Sequence, residues 1–143
     1  MLESNVIQYR GFHNLFENGR AVGFQIPVRS DYYRGIWLSQ LRPGKVVVDD
    51  MIFSKEEVTW CINGKDYSAA ELAEAGSAFW RVTDVAFLRI RKEGGLSQGF
   101  HKVSVRFAAS CSYMPPFLDQ FDENSDEVSF NGGTYTRDHM IIV

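Results

Sequence analysis

The chain has 143 residues and a mass of 16.3 kDa, long enough to bury a core without disulfide or metal staples. Apolar residues make up 45% and aromatics 14%, a balance that suits pleated, half-buried surfaces better than helix faces. A formal charge of −3 and a pI near 5.6 give no electrostatic reason to expect nucleic acid or an anionic membrane as partner.

The first residues, Met1-Leu-Glu-Ser-Asn-Val-Ile, carry an acid where a signal peptide would have a basic region, and no apolar stretch follows. No run approaches the roughly 20 apolar residues of a membrane span. With only Cys61 and Cys111 as thiols and no Asn-x-Ser/Thr sequon, the expectation is a cytoplasmic protein. Whether those two thiols pair is left open by the sequence.

In chain order, the first clear element is 22–28, where Val22, Phe24, Ile26 and Val28 share one face. Pro27 has no amide proton, so this strand is expected at a sheet edge or at a bulge. Further strands are expected at 35–41, 45–49 and 57–62, with Asp49-Asp50 as a turn or strand end, since neighbouring strand residues point to opposite faces. Asn63-Gly64 predicts a type I′ hairpin turn. Ser68-Ala-Ala-Glu71 is a capping-box pattern that opens one short helix, with Gly76 expected to end it in the left-handed region. Strands at 84–91 and 101–113 follow, the second being the clearest alternation in the chain, from Val103 through Tyr113. Gly94-Gly95 and Gly132-Gly133 mark tight turns, and Met114-Pro115-Pro116 stops the long strand. Residues 117–143 are acidic and turn-rich at first, then a strand at 127–130 and a hairpin-like stretch end the chain. The expected architecture is all-β: a single domain over 1–143, an antiparallel β-sandwich of jelly-roll type with one short helix.

A search for chemistry excludes more than it finds. None of His13, His101 and His139 has a ligand partner at a metal-motif spacing. Asp122, Asn124 and Asp126 match the first positions of a calcium loop, but Glu127 stands where glycine is needed and Gly133 where the bidentate Glu belongs. Ser110-Cys-Ser112 continues a strand and is no nucleophile elbow, and no phosphate-binding glycine loop occurs. One cluster stands out. Arg29-Ser-Asp-Tyr-Tyr-Arg-Gly35, followed by Ile36-Trp37, gathers the residue types that dominate interface hot spots and also stack on sugars or aromatic ligands. An inward-packed corner would use the same residues.

Several segments together resemble a known family. They are Gly23-Phe-Gln-Ile-Pro-Val-Arg29, Tyr32-Tyr-Arg-Gly35 with Leu38-Ser39, Val46-Val-Val-Asp-Asp50, Ile62-Asn-Gly-Lys-Asp-Tyr67, Lys92-Glu-Gly-Gly-Leu96 and Ser112-Tyr-Met-Pro-Pro116. Their order is similar to that in the small (β) subunits of bacterial C-glycoside deglycosidases, from about Gly11 to Pro116. The resemblance implies a heteromeric lyase that cleaves the carbon–carbon bond between a 3-keto sugar and an aromatic aglycone, such as a flavonoid or other polyphenol. It implies a TIM-barrel α subunit that carries a divalent metal (manganese) and the catalytic base. Chemistry makes this route intelligible: a C-glycosidic bond has no bridging oxygen to protonate, whereas a 3-keto group acidifies the neighbouring C–H and permits enolate formation and elimination. No catalytic or metal residue and no cofactor carries over to this chain. For the contact with the α subunit, the expectation falls on Arg29, Tyr32, Tyr33 and Arg34, and on Tyr113, Met114, Pro115 and Pro116. Two other readings stand beside it: a free-standing carbohydrate-binding module, and an independent enzyme using His101 or His139 as a base.

Overall fold

A computed structural model of the chain describes residues 3, 5–30, 35–109 and 132–143. The period-two segments become strands. A hairpin of β1 (His13–Glu17) and β2 (Arg20–Arg29) turns through Asn18 and Gly19, both at positive φ. Then come β3 (Ile36–Trp37), β4 (Leu41–Val48), β5 (Met51–Phe53), β6 (Val58–Ile62) and β7 (Lys65–Tyr67). The helix α1 (Ala69–Glu74) precedes β8 (Phe79–Trp80), β9 (Val85–Arg91), β10 (Gly99–Ala109) and β11 (Gly132–Ile142).

The strands pair antiparallel in three groups: β1-β2-β9-β6-β7, β11-β10-β4-β5, and the small ribbon β3-β8. Inward residues of the two larger sheets merge into one core. Phe24, Ile26, Val28, Trp60, Leu88 and Ile90 come from the five-stranded sheet, and Val46, Val48, Val103, Val105 and Phe107 from the four-stranded sheet. Rings cross the gap edge to face, Phe24 to Phe53 and Trp60 to Phe107, each pair with centroids 5.6 Å apart. Edge-to-face pairs of this kind add about 0.5–1.5 kcal/mol beyond area burial. The molecule is therefore the expected all-β sandwich with one short helix.

Local signals resolve as their chemistry requires. Asn63 and Gly64 sit at φ 54° and 79° in a two-residue turn that sets Ile62 opposite Lys65. The Ser68 hydroxyl accepts from the Glu71 amide (3.1 Å), while the Glu71 carboxylate accepts from the Ser68 amide (3.0 Å). Asp49-Asp50 form the β4–β5 turn, with Val48 opposite Met51.

Four expectations need correction. Pro27 is neither on an edge strand nor at a bulge, because β2 lies between β1 and β9. The β1 ladder, however, ends at the pair His13–Gln25, and past it Pro27 and Arg29 turn their backbone groups toward the N-terminal segment. The missing proton thus falls on that side and costs the β2–β9 ladder nothing. The strand foreseen at 35–41 is broken by a 3-10 turn over Leu38–Gln40. Leu38 and Leu41 are both buried, and a three-residue turn brings positions i and i+3 to the same side, which an unbroken strand would not do. Helix α1 ends at Ala75 without a left-handed residue, so Gly76 is no cap. Gly132 and Gly133 form no turn; they pair with Ala108 and Phe107 at the start of β11. Strand β10 buries Val103, Val105 and Phe107 as expected, and also Arg106 and Ala108 on its other face. The stretch expected as strand past Ala109, and the acidic segment with its strand at 127–130, lie outside the described residues.

Candidate functional site

Since sequence points to association, the candidate site is a surface, and the first question is what its ionisable groups already do. His101 is buried, with Nδ1 2.8 Å from Asp49 Oδ2 and Nε2 2.7 Å from the Ser97 carbonyl oxygen. Both oxygens only accept, so both contacts are hydrogen bonds together only when both ring nitrogens carry protons. The same Asp49 carboxylate accepts from the Lys102 amide (3.0 Å). These bonds, the one from His101 first, hold the Asp49 carboxyl below its ordinary pKa. The β4–β5 turn is thereby tied to the start of β10.

His13 has Nδ1 2.8 Å from the Asn14 carbonyl oxygen and Nε2 3.1 Å from Gln25 Nε2, and the His139 ring packs edge to face on Phe100. Cys61 is a free, buried thiol; burial and then the Asp66 hydrogen bond push its pKa up, which leaves it a small hydrophobe. Among the described residues no group of three or more His, Cys, Asp or Glu side chains could hold a metal ion. The ligand-type nitrogens of His101 are engaged already, so among the described residues no donor set fits the divalent metal, which the resemblance assigns to the α subunit.

At one end of the sandwich the β3–β8 ribbon presents an aromatic pair. Trp37 is 46% exposed and packs edge to face on Phe79 at 5.0 Å. Asn63 Nδ2 donates to the Phe79 carbonyl (3.1 Å), which fixes the ribbon to the β6–β7 turn. Gly35 enters the ribbon at φ 73°, where a Cβ would stand 2.5 Å from the Trp80 carbonyl oxygen and 2.9 Å from the Phe79 ring. Only glycine lets the chain pass so close. Arg29 lies near the other end of this connection. Its guanidinium donates to the carbonyls of Glu3 (3.1 Å) and Ser30 (2.9 Å), so at least part of it is committed within the fold.

Of the residues expected at the interface, Arg29 alone is described; Tyr32, Tyr33, Arg34, Tyr113, Met114, Pro115 and Pro116 lie outside the described residues. The structure adds Phe79, which no sequence period marks because a two-residue strand has none, as neighbour of Trp37. On the other flank, the outer face of the four-stranded sheet holds a shallow hollow of about 610 Å³ lined by Lys45, Val47, Ile52, Lys102, Ser104 and Thr136. Farther along that face Phe100 stands directly opposite Ile141, and both are exposed. Among the described residues no helix is long and apolar enough to cross a membrane.

The ring nitrogens of His101 and His13 are engaged, and exposed aromatics (Tyr9, Phe16, Trp37 and Phe100) stand on several faces, a surface better suited to binding than to chemistry of its own. Comparison with known proteins agrees. The model of the family named C-glycoside deglycosidase beta subunit matches residues 2–113. The chain belongs to that family. A relative from Eubacterium cellulosolvens, named C-glycoside deglycosidase beta subunit, is 39% identical over 131 residues, 90% of this chain and 89% of the relative. As a beta subunit of this family, the chain is part of a heteromeric enzyme complex, and its surface has a partner subunit to meet.

Proposed function

We propose that this chain is the non-catalytic beta subunit of a heteromeric C-glycoside deglycosidase, a cytoplasmic lyase. The complex cleaves the carbon–carbon bond between a 3-keto sugar and an aromatic aglycone, by enolate formation and elimination. The observation that carries this reading is the family match over residues 2–113, in a family whose name is that of a subunit. The engaged ring nitrogens of His101 support it, since neither is free to take a proton from a substrate. The catalytic base and the divalent metal then belong to the partner, a TIM-barrel α subunit, which also binds most of the substrate.

The contact with that partner is assigned to Arg29, Tyr32, Tyr33 and Arg34 together with Tyr113, Met114, Pro115 and Pro116. Trp37 and Phe79 join them because exposed Trp37 and the half-buried Phe79 ring it packs on follow this cluster in the chain and ribbon. Co-expression with the α subunit tests the assignment. The chain alone should be inactive on 3-keto C-glycosides, and activity should appear in the co-eluting complex. Replacing Tyr33 and Arg34 with Ala should weaken the complex by about 30-fold or more, the effect of losing one hot spot of about 2 kcal/mol. Undiminished co-elution and activity would sink the interface. Turnover, or retention on glycans, by the chain alone would favour the independent-enzyme or carbohydrate-binding reading instead.

A further inference from the structure

The N-terminal segment, Glu3 and residues 5–9, is held by contacts unlike those of the rest of the sheet. It runs beside β2 where β1 has ended, with Ile7 bridged to Val28. Two backbone bonds join it to β2: the Gln8 amide donates to the Pro27 carbonyl and the Arg29 amide to the Val6 carbonyl, both at 2.9 Å. Pro27 has no proton to give a third on this side. By contrast the other side of β2 pairs with β9 from Gly23 to Arg29 without a break. A turn through Gly11, at φ 101°, separates the segment from β1.

The remaining hold comes from the opposite sheet. In β11 a register shift sets Met140 opposite His101 but Arg137 opposite Val103, with His139 at φ 59° in the bulge. Opposed residues share a sheet face, and Val103 faces the core, so the Arg137 side chain leaves β11 on the inner side, at the seam of the sandwich. There it donates to the Ile7 carbonyl (2.8 Å) and to Glu3 Oε1 (2.8 Å), and its guanidinium carbon lies 3.3 Å from the centre of the Tyr9 ring. The other Glu3 oxygen accepts from the Tyr9 amide (2.7 Å), and Gln8 closes the segment on itself through the Glu3 amide and carbonyl. Ile7, 2% exposed, is the main apolar anchor, with Val6 beside it also buried in the core.

We propose that this segment is a detachable strap: an extended peptide ligand of the chain's own seam, seated by Ile7 and clamped by Arg137, that leaves while both sheets stay folded. Few backbone rungs, a short apolar anchor (Ile7 with Val6 beside it) and a charged clamp are how proteins hold an added strand in trans. Here the ligand is covalently attached. Its departure uncovers the Pro27 carbonyl, the Arg29 amide and the hollow left by Ile7 and Val6.

Amide hydrogen exchange on the full chain tests this, comparing the wild type with Arg137→Ala and Glu3→Gln. In Arg137→Ala the Gln8 and Arg29 amides should exchange at least about tenfold faster, as expected for easier local opening. The amides of Ile26 and Leu88, opposed in the β2–β9 ladder, should keep their wild-type rates. Glu3→Gln, which leaves the Ile7 contact in place, should give a smaller acceleration at the same two amides. Unchanged rates at Gln8 and Arg29 in both variants overturn the proposal. So does an acceleration shared equally with Ile26 and Leu88, or loss of the fold in both variants, since either makes the segment an integral strand.

Discussion

Replacing Asp49 with Asn tests the joint between the β4–β5 turn and β10. The substitution keeps the shape and the tolerance for the left-handed backbone at φ 54°, which Asn shares with Asp. It keeps an oxygen for the Lys102 amide but removes the charged acceptor facing the buried His101 ring. A hydrogen bond to a charged group contributes about 1.5–3 kcal/mol. The Asp49 side chain is 45% exposed, so water recovers part of this and about 1–2 kcal/mol is the expected loss at pH 7. For a chain of this size that lowers Tm by about 3–8 °C in a calorimetric or circular-dichroism melt. The pH dependence has a definite sign. Asp49 has a lowered pKa in the folded chain, so its contribution is complete above the ordinary value of 3.8 and fades as pH falls through the lower, folded value. The gap between wild type and variant should be constant from neutral pH to about pH 5, narrow once pH falls below the ordinary value of 3.8, and close below the lowered, folded value. A variant that melts within about 1 °C of wild type at pH 7, or a gap that survives unchanged at pH 3, would refute the reasoning.

Gly23→Ala should be among the most damaging single-methyl changes, because its Cβ would stand 2.2 Å from the Ile90 carbonyl oxygen between β2 and β9. We expect a loss of about 3 kcal/mol or more by urea unfolding, and a loss below about 1 kcal/mol would contradict the close approach. Asn63→Ala combines left-handed strain with the loss of the bond to the Phe79 carbonyl and should cost about 1–2 kcal/mol. Asn63→Gly removes the bond without the strain, so its urea midpoint should fall between those of Asn63→Ala and wild type.

Features written in neighbouring residues were legible in the sequence. Alternation from Val22 to Val28 marks β2, Asn63-Gly64 marks a turn whose two positive φ values the structure reproduces, and Ser68 with Glu71 marks a helix start closed by two reciprocal bonds. Each depends on backbone preferences within four residues or on a period of two. The misses depend on contacts made at a distance. Asp49 and His101 are 52 positions apart, and no spacing announces that an acidic turn residue will bond a buried imidazole. Leu38 and Leu41 belong to a strand-like string whose true period there is three, because both must reach the core. Pro27 signalled a missing rung correctly, but which side of the strand lacks a neighbour is decided by where β1 ends. The association surface proposed above rests on composition, Arg, Tyr and Trp in one cluster, and not on a period or a turn signal. The Phe79 ring that backs Trp37 comes from a strand 42 positions later in the chain.

The lengths of the sheet borders bear on how such a chain survives before it meets a partner. Among the described residues the outermost strands β5 and β7 have three residues each and β1 has five. Borders that short give a stray chain too few rungs to pair with. The long border, β11, is interrupted by the bulge at His139. A subunit synthesised apart from its complement spends an interval as a solitary molecule, at concentrations where sheet edges would otherwise template aggregates. Trimmed and kinked borders lengthen the time it can wait.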